Sequence, residues 1–541
     1  MRAFAAALAL MSAAPAAAQH DAHPSKRAPT LGTIIFPNSG NAKAQEPFLR
    51  GVAFLHSFEY ENAATAFRQA QRADPTLALA YWGEALTYSH VLWRTEDIPA
   101  SRAVLQRLAP TAAGRLAKAR TARERRFGAA VEAFFTDGTL AQRVNAYADT
   151  LRKLAASDPR DIEAAAFASH AVMLAAYLQD RAAGASLVQE AIDLAQRVAT
   201  ASPDHPGATH YLIHLYDTPG MAQQGLAFAR AYDKIAPDAE HALHMPSHIY
   251  LQLGMWEDVA QSNERAWAAS RASTTNPGAL DWHGFLWLQY AYLQQGRWDA
   301  ARALIDTARS LLEKAEGSYT DASVVIPRME FQYASETGRW TEPLTRPRAP
   351  SGVAVSERER IFRQFANYWA AVDAAERRDS SLATVSAPLL AIVDSVRAGA
   401  AIPPARATSA LVVQALVAKS QGDTAKVLST LREATQHEGK LTAFVGPPER
   451  VFAAELLARE AQSRGESRAQ KFFRSADGAE AIRALENVLR IAPNRSRTLL
   501  MLTIAREYAG DSTGTLDARL KLRDNWQRAD ERVVRLLPVP R

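Results

Sequence analysis

The sequence predicts an all-α solenoid of helical hairpins, and three observations predict it. His210/His214 and His244/His248 are both i,i+4 pairs, and the second pair follows the first by 34 residues, the length of one two-helix repeat. Small, aromatic and proline residues recur where such a hairpin needs them, most clearly over 240–273 and 282–315. No run alternates apolar and polar residues with period two, so nothing reads as a strand. At 541 residues the chain is long for one core. A solenoid escapes that limit because each repeat buries its surface only against its neighbours.

Taken in order, residues 19–43 are polar and turn-rich and form an extended lead-in. His20 and His23 belong to it and read as part of a solvated tail. The first repeat starts near Ala44. Gly51 and Ala63 let two helices approach, Phe54, Tyr60 and Phe67 fill the seam, and Pro75 follows the second helix. These positions match a tetratricopeptide (TPR) pattern. The next helix runs from Leu79 to Tyr88, and the pattern lapses at HVLWRTEDIP. Residues 100–204 are helical and degenerate, punctuated at Asp158-Pro159 and Ser202-Pro203-Asp204. Repeats at 206–239, 240–273 and 282–315 follow, with Tyr250, Gly254, Trp256 and then Tyr292, Gly296, Trp298 in phase. A further helix pair is expected near 322–340. The first repeat region thus covers 44–340. Residues 341–356 (TEPLTRPRAPSGVAVS) read as a Pro-rich linker, and 357–541 as C-terminal helical repeats, including pairs near 357–398, 408–438 and around IAPNRSRTLL.

Composition narrows the function classes. Apolar residues make up 48% and charged residues 22%, with a net charge of +6 spread along the chain. No Lys/Arg run interleaved with aromatics appears, which argues against a nucleic-acid partner. Residues 1–18 have the form of a secretory signal: Arg2, an apolar stretch from Ala3 to Met11, and Ala16-Ala17-Ala18 before Gln19. That apolar stretch is too short to span a membrane, and no later segment approaches a span. The chain is therefore expected in the periplasm or outside the cell. It has no cysteine, so disulfides, thiolate metal sites and a lipid anchor on cysteine are excluded.

The phrases LGTIIFP, GVAFLHSFEYENA, AYWGEALTYSHVLW, HPGATHYLIHLYD, KIAPDAEHALHMPSHIYLQLGMWED, YAYLQQGRW and IAPNRSRTLL resemble a family of exported bacterial TPR proteins, from about Leu31 to Asp511. The resemblance implies the fold, export, and histidine-bearing motifs at His210, His214, His241, His244 and His248. It implies no settled activity. The chain departs from the family pattern at DWHGFLW, where His283 is the counterpart, and at Leu441 to Val445, where a His-Pro turn would be expected.

The repeat register places His210 and His244 at position 5 of their first helices, His214 and His248 at position 9, and His241 and His283 at position 2. Those positions line the concave groove of TPR repeats. Asp217 falls at position 12, His56 and His90 at position 13, and Trp82 at position 5. Packed helices lie about 8–10 Å apart, and an imidazole nitrogen binds a metal at about 2.0–2.1 Å, so histidines on neighbouring helices can share one ion. Neutral imidazole suits zinc, copper, iron or nickel. Asp217 and Glu240 are the candidates for a carboxylate ligand, a hydrogen-bonding partner of a ligand, or a general base. Pro246 is expected to push Met245 out of helical geometry and place His241 and His244 on a bend. His56 and Trp82 are candidate groove residues. His90, His170 and His437 read as structural, and His205, before Pro206, as a cap or turn residue.

Three readings stay open for the histidine set: a metal site, a polar groove for a peptide or anion, and a structural hydrogen-bond network. H-E-x-x-H, G-x-S-x-G, phosphate-loop and dinucleotide fingerprints are absent, so nothing signals a nucleotide or flavin. The sequence therefore predicts an exported TPR-type binding scaffold, partnered by a protein or peptide, whose groove carries a His-rich site for a divalent transition metal. The alternatives are a hydrolytic or oxidative metalloenzyme and an envelope metal carrier using the same histidines.

Overall fold

The computed structural model describes residues 28–537 apart from 94, 180, 313–318, 345–356, 443 and 445. The signal-like segment, His20 and His23 lie outside the described residues, as do residues 345–356 of the expected linker. The fold is all-α, and consecutive helices pack in pairs. The HVLWRTEDIP stretch is the exception. There Ser89–His90 pairs antiparallel with Thr95–Glu96 around a 3-10 turn at Val91–Trp93. No helix among the described residues is long and apolar enough to cross a membrane.

Two compact units divide the chain. One contains Asp21–Asp217 and Met221–Ile249, the other Thr218–Gly220 and Tyr250–Arg541. In the first unit the leading hairpin is Ala42–His56 with Tyr60–Ala73. Asn41 caps its first helix through the backbone N–H groups of Lys43 and Ala44. Phe67 is fully buried, and a side chain at Gly51 or Gly83 would collide with its ring. Ile162–Tyr177 and Arg181–Ala201 form another hairpin, and Pro206–Tyr216 with Ala222–Ile235 the next. The alanines of Ile162–Tyr177 are buried almost throughout. With so little side chain between them, neighbouring helices approach closely enough to enclose polar groups. Helices end at Ser157 and Ala201, where the Asp158-Pro159 and Ser202-Pro203 breaks stand in the sequence.

The extended lead-in is tied into this unit. Thr30 N–H donates to Asp238 Oδ2 (2.7 Å) and Thr33 N–H to the carbonyl of Asp204 (2.9 Å). Leu31 and Phe36 are buried, and the Phe36 ring packs against Phe48, Phe127 and Phe167.

In the second unit Trp256–Ser273 packs on Trp282–Gln294, and the pairs Pro404–Ser420 with Thr424–Glu438 and Ser496–Ala509 with Ser512–Asn525 follow the expected plan. Gly254 and Gly296 hold φ of 67° and 71° at the turns before Trp256 and Trp298. A Cβ on either would fall within 2.6 Å of a neighbour, so these turns need glycine twice over. The helix pair expected near 322–340 is instead one helix, Tyr319–Thr337, which carries Pro327 inside it. A buried Arg495 guanidinium binds Glu455 (2.9 Å), Glu336 and Tyr290.

Trp82 is not on an open groove. It is 1% exposed, its indole N–H donates to Glu132 (3.2 Å), and the ring lies against Gly128, where a Cβ would sit 2.3 Å from it. Its register position is a packing position because helix Ala122–Phe134, which carries Gly128 and Glu132, closes over it. Gly128→Ala is expected to destabilise the protein by about 1–3 kcal/mol through overpacking, read as a lower denaturant midpoint, with Trp82 fluorescence shifted in the native state.

Candidate metal centre

The central feature of the first unit is a set of imidazoles turned inward. His56, His210, His244 and His248 are at most 3% exposed and His214 is 7% exposed. The open-wall placement inferred from repeat register is therefore corrected: the named faces point into the interior, and His56 is a core residue. The Ala-rich packing around them leaves room for rings where larger side chains would not.

His56, Glu163 and His205 form one group. Glu163 lies in the first turn of Ile162–Tyr177, and its carboxylate takes His56 Nε2 at 3.0 Å and His205 Nε2 at 3.3 Å. Tyr211 Oη lies 2.6 Å from His56 Nδ1. The backbone N–H of Ala208 donates to His205 Nδ1 (3.1 Å), so His205 caps the helix Pro206–Tyr216. These contacts define the tautomers. Both Nε2 atoms donate to Glu163, and both Nδ1 atoms accept. Burial alone would push the Glu163 carboxyl up, but His205 and His56 overcome it and hold the group down at about 2. The ligand atoms of this trio lie within 4.8 Å of one another, yet every ring nitrogen already has a partner.

His210, His214 and His241 differ. Their ligand atoms also lie within 4.8 Å of one another. The Nε2 atom of each is buried and has no hydrogen-bond partner. His210 Nδ1 donates to the carbonyl of His56 (2.7 Å), an end-of-helix acceptor with no partner in its own helix. That bond commits the proton to Nδ1 and leaves Nε2 as a lone pair. His214 is positioned by helix Pro206–Tyr216, whose carbonyl at His214 accepts from Tyr177 Oη (3.0 Å). His241 is placed by the turn after Ala42–His56: Glu59 Oε1 accepts its backbone N–H at 2.9 Å. All three rings have pKa values well below the ordinary histidine range, first because of burial and then because they face other imidazoles. They are neutral near pH 7, the form that binds metal.

Phe58 forms the wall of this group. Its ring centroid lies 4.3 Å from that of His210, 5.7 Å from His214 and 5.9 Å from His241. Its backbone takes φ 57°, unusual for a non-glycine residue. Tyr232 stacks on His210 at 5.3 Å, and Trp93 meets His241 edge-on at 6.1 Å.

His244 and His248 lie beside this trio. The His241 and His244 centroids are 6.0 Å apart, and those of His214 and His248 5.8 Å. His248 Nδ1 faces Asp217 Oδ2 at 2.7 Å, and His244 Nε2 faces His248 Nε2 at 3.1 Å. The helix does break here, into Glu240–His244 and Pro246–Leu253, but Met245 keeps helical angles (φ −54°, ψ −35°). Pro246 interrupts the helix by removing an N–H donor rather than by forcing an extended residue, which corrects the expected bend. Glu240 begins the first of these short helices and is half-buried. Neither Asp217 nor Glu240 joins a converging group of three among the described residues. His283 is the second residue of Trp282–Gln294 in the second unit, half-buried, with its ring 5.4 Å from that of Trp287.

His90 and His170 have packing roles. His90 stacks on Tyr60 at 3.9 Å and bonds the carbonyl of Thr87, and His170 stacks on Tyr211 at 5.1 Å. Sequence reasoning missed Glu163 and Phe58. Glu163 had a signal, as the one acidic residue within a largely apolar, Ala-rich helix. Phe58 had none, because a single residue's positive φ leaves no trace in composition.

No family model matches this chain, and no curated protein matches it. Similar solved structures include a human IFIT1 dimer with PPP-AAAA, at 10% identity over 92% of this chain and 91% of that one, with a TM-score of 0.33. Yeast Tom70 is similar at 11% identity over 91% and 94% of the two chains, TM-score 0.33. The P58(IPK) TPR domain is similar at 12% identity over 87% and 99%, TM-score 0.20.

Glu163 carries a dependence on acid. Its folded pKa lies below the ordinary 4.5, so its stabilising contribution is present above about pH 4.5 and is lost as pH falls toward 2. Glu163→Gln is expected to cost about 1–3 kcal/mol at neutral pH, because one histidine N–H loses its acceptor. It should also flatten the acid-side slope. Urea titrations at several pH values between about 2 and 7, which span the window that linkage gives, read both effects.

Proposed function

We propose that this chain is a metal-binding protein, in which helical hairpins serve as a rigid frame for one divalent transition metal ion on His210, His214 and His241. The observation that carries the reading is a trio of histidines that each bring a ring nitrogen within 4.8 Å of the others, and whose Nε2 atoms are all buried without a hydrogen-bond partner. Leaving one buried polar nitrogen unsatisfied costs about 1–3 kcal/mol. Three in one place would be a heavy cost for no return, and a shared cation satisfies all three. Tetrahedral binding at about 2.0–2.1 Å brings nitrogens to roughly 3.3 Å from one another, a small closure for rings that already converge. The neighbouring His56 group offers no such lone pairs, which is why it is read as a structural network.

Imidazole donors favour zinc, copper, iron or nickel. Three protein ligands leave a fourth position free, the arrangement of catalytic rather than structural zinc sites. A metal-dependent hydrolase is accordingly the second reading, favoured by the Asp217–His248 pair at 2.7 Å beside His214. Such a pair orients an imidazole to receive a proton. The helical-repeat frame also suits a protein or peptide partner, although His56 and Trp82, read from register as its groove, are buried and do not supply a surface for it. The signal-like N-terminus supports a periplasmic or secreted address.

Elemental analysis tests the primary reading. The purified chain, incubated with zinc or copper and desalted, is expected to retain at least one equivalent. His210→Ala and His241→Ala should each lose that tight equivalent while far-ultraviolet circular dichroism keeps its helical form. A parent chain that retains no metal would make the cluster a neutral hydrogen-bonding network and end the metal reading.

A further inference from the structure

We infer that the first unit holds a second, weaker metal position on His244 and His248, adjacent to the trio and distinct from it. The inference rests on the proposed metal reading and deepens it. The two Nε2 atoms face each other at 3.1 Å across one helical turn. With metal–nitrogen bonds of about 2.05 Å, that separation corresponds to a bite angle of roughly 98°, suited to tetrahedral and square geometries alike. Asp217 supplies the hydrogen bond typical behind a ligating imidazole. By accepting the Nδ1 proton of His248 at 2.7 Å it fixes the ring orientation and directs the Nε2 lone pair toward His244.

The trio does not reach this position with the same atoms. His210, His214 and His241 each bring a ring nitrogen of their own within 4.8 Å of the others, while the ring centroids of His214 and His248 stand 5.8 Å apart and those of His241 and His244 6.0 Å. Within the first unit this position draws on two imidazole nitrogens against three for the trio, so its ion is the more readily exchanged one. Before it binds, the 3.1 Å contact is held by the proton on His244 Nε2, because His248 Nδ1–H is committed to Asp217. Binding exchanges that proton for the cation. The proton passes to Nδ1 of His244, so the imidazole stays neutral, and no oxidation state changes. The ligand is a divalent ion that accepts imidazole nitrogen, zinc or copper before magnesium or calcium. Neighbouring ions of this kind can act together on one oxygen-bearing substrate group.

The test is a titration of the full chain with zinc against a chromophoric chelator, repeated with copper under electron paramagnetic resonance. The expected result is two equivalents of different affinity. His248→Gln should abolish the weaker and keep the tighter. Asp217→Asn should weaken the second equivalent about 10- to 100-fold and leave the first unchanged, which a general loss of folding would not do. A single equivalent in the parent, or two that both survive His248→Gln, would overturn the inference. His210→Ala separates the two ideas. If it leaves the tighter equivalent intact, the trio reading fails, while the His248→Gln comparison still decides the second position.

Discussion

A carboxylate buried among imidazoles governs the geometry of the first unit. Glu163 accepts from His56 and His205 at once, and this decides more than the pairing of three side chains. His56 ends its helix, and the same residue whose ring is held by Glu163 and Tyr211 offers its backbone carbonyl to His210 Nδ1. That carbonyl can only accept, so it determines which nitrogen of His210 carries hydrogen. His205 passes the influence along a second route by capping the helix that bears His210 and His214. Burial without partners would make these groups strongly unfavourable. Complete pairing makes them a rigid polar frame instead.

Around that frame the backbone accepts two departures from ideal geometry. Phe58 takes a left-handed conformation between two helices, a strain of about 1–3 kcal/mol, and its ring meets three of the inward imidazoles. Pro246 removes one helical hydrogen bond and divides the helix between His244 and His248, while the i,i+4 relation of those rings survives because Met245 remains helical. Both departures sit beside the same cluster, as does the short strand pair whose turn residue Trp93 meets His241.

Much of this was legible from residue spacing. The 34-residue offset found the inward histidines, because a repeat puts equivalent positions into equivalent environments. Turns at Gly254 and Gly296 were readable because few residues other than glycine take their φ. His205 was readable as a cap from its place before Pro206. Which side of a helix faces solvent was not readable. Register identifies a face, whereas the helices that pack next decide whether that face opens on a groove or closes on a core, as it does over Trp82 and His56. The single helix Tyr319–Thr337 escaped for a related reason, since Pro327 inside it looks like punctuation in the sequence.

The extended lead-in has a consequence for the order in which the chain is made. Thr30 is bound to Asp238 and Thr33 to Asp204, so the earliest described segment waits for partners synthesised some 170 to 208 residues later. At about 5–20 residues per second, that wait lasts on the order of ten seconds or more. Phe36, which completes an aromatic cluster with Phe127 and Phe167, is without its partners for part of that interval. Hairpins along the way can form from local contacts, but the unit cannot close until residue 238 has been added. Its assembly is therefore sewn shut from the front end, by the first thread laid down and the last one tied.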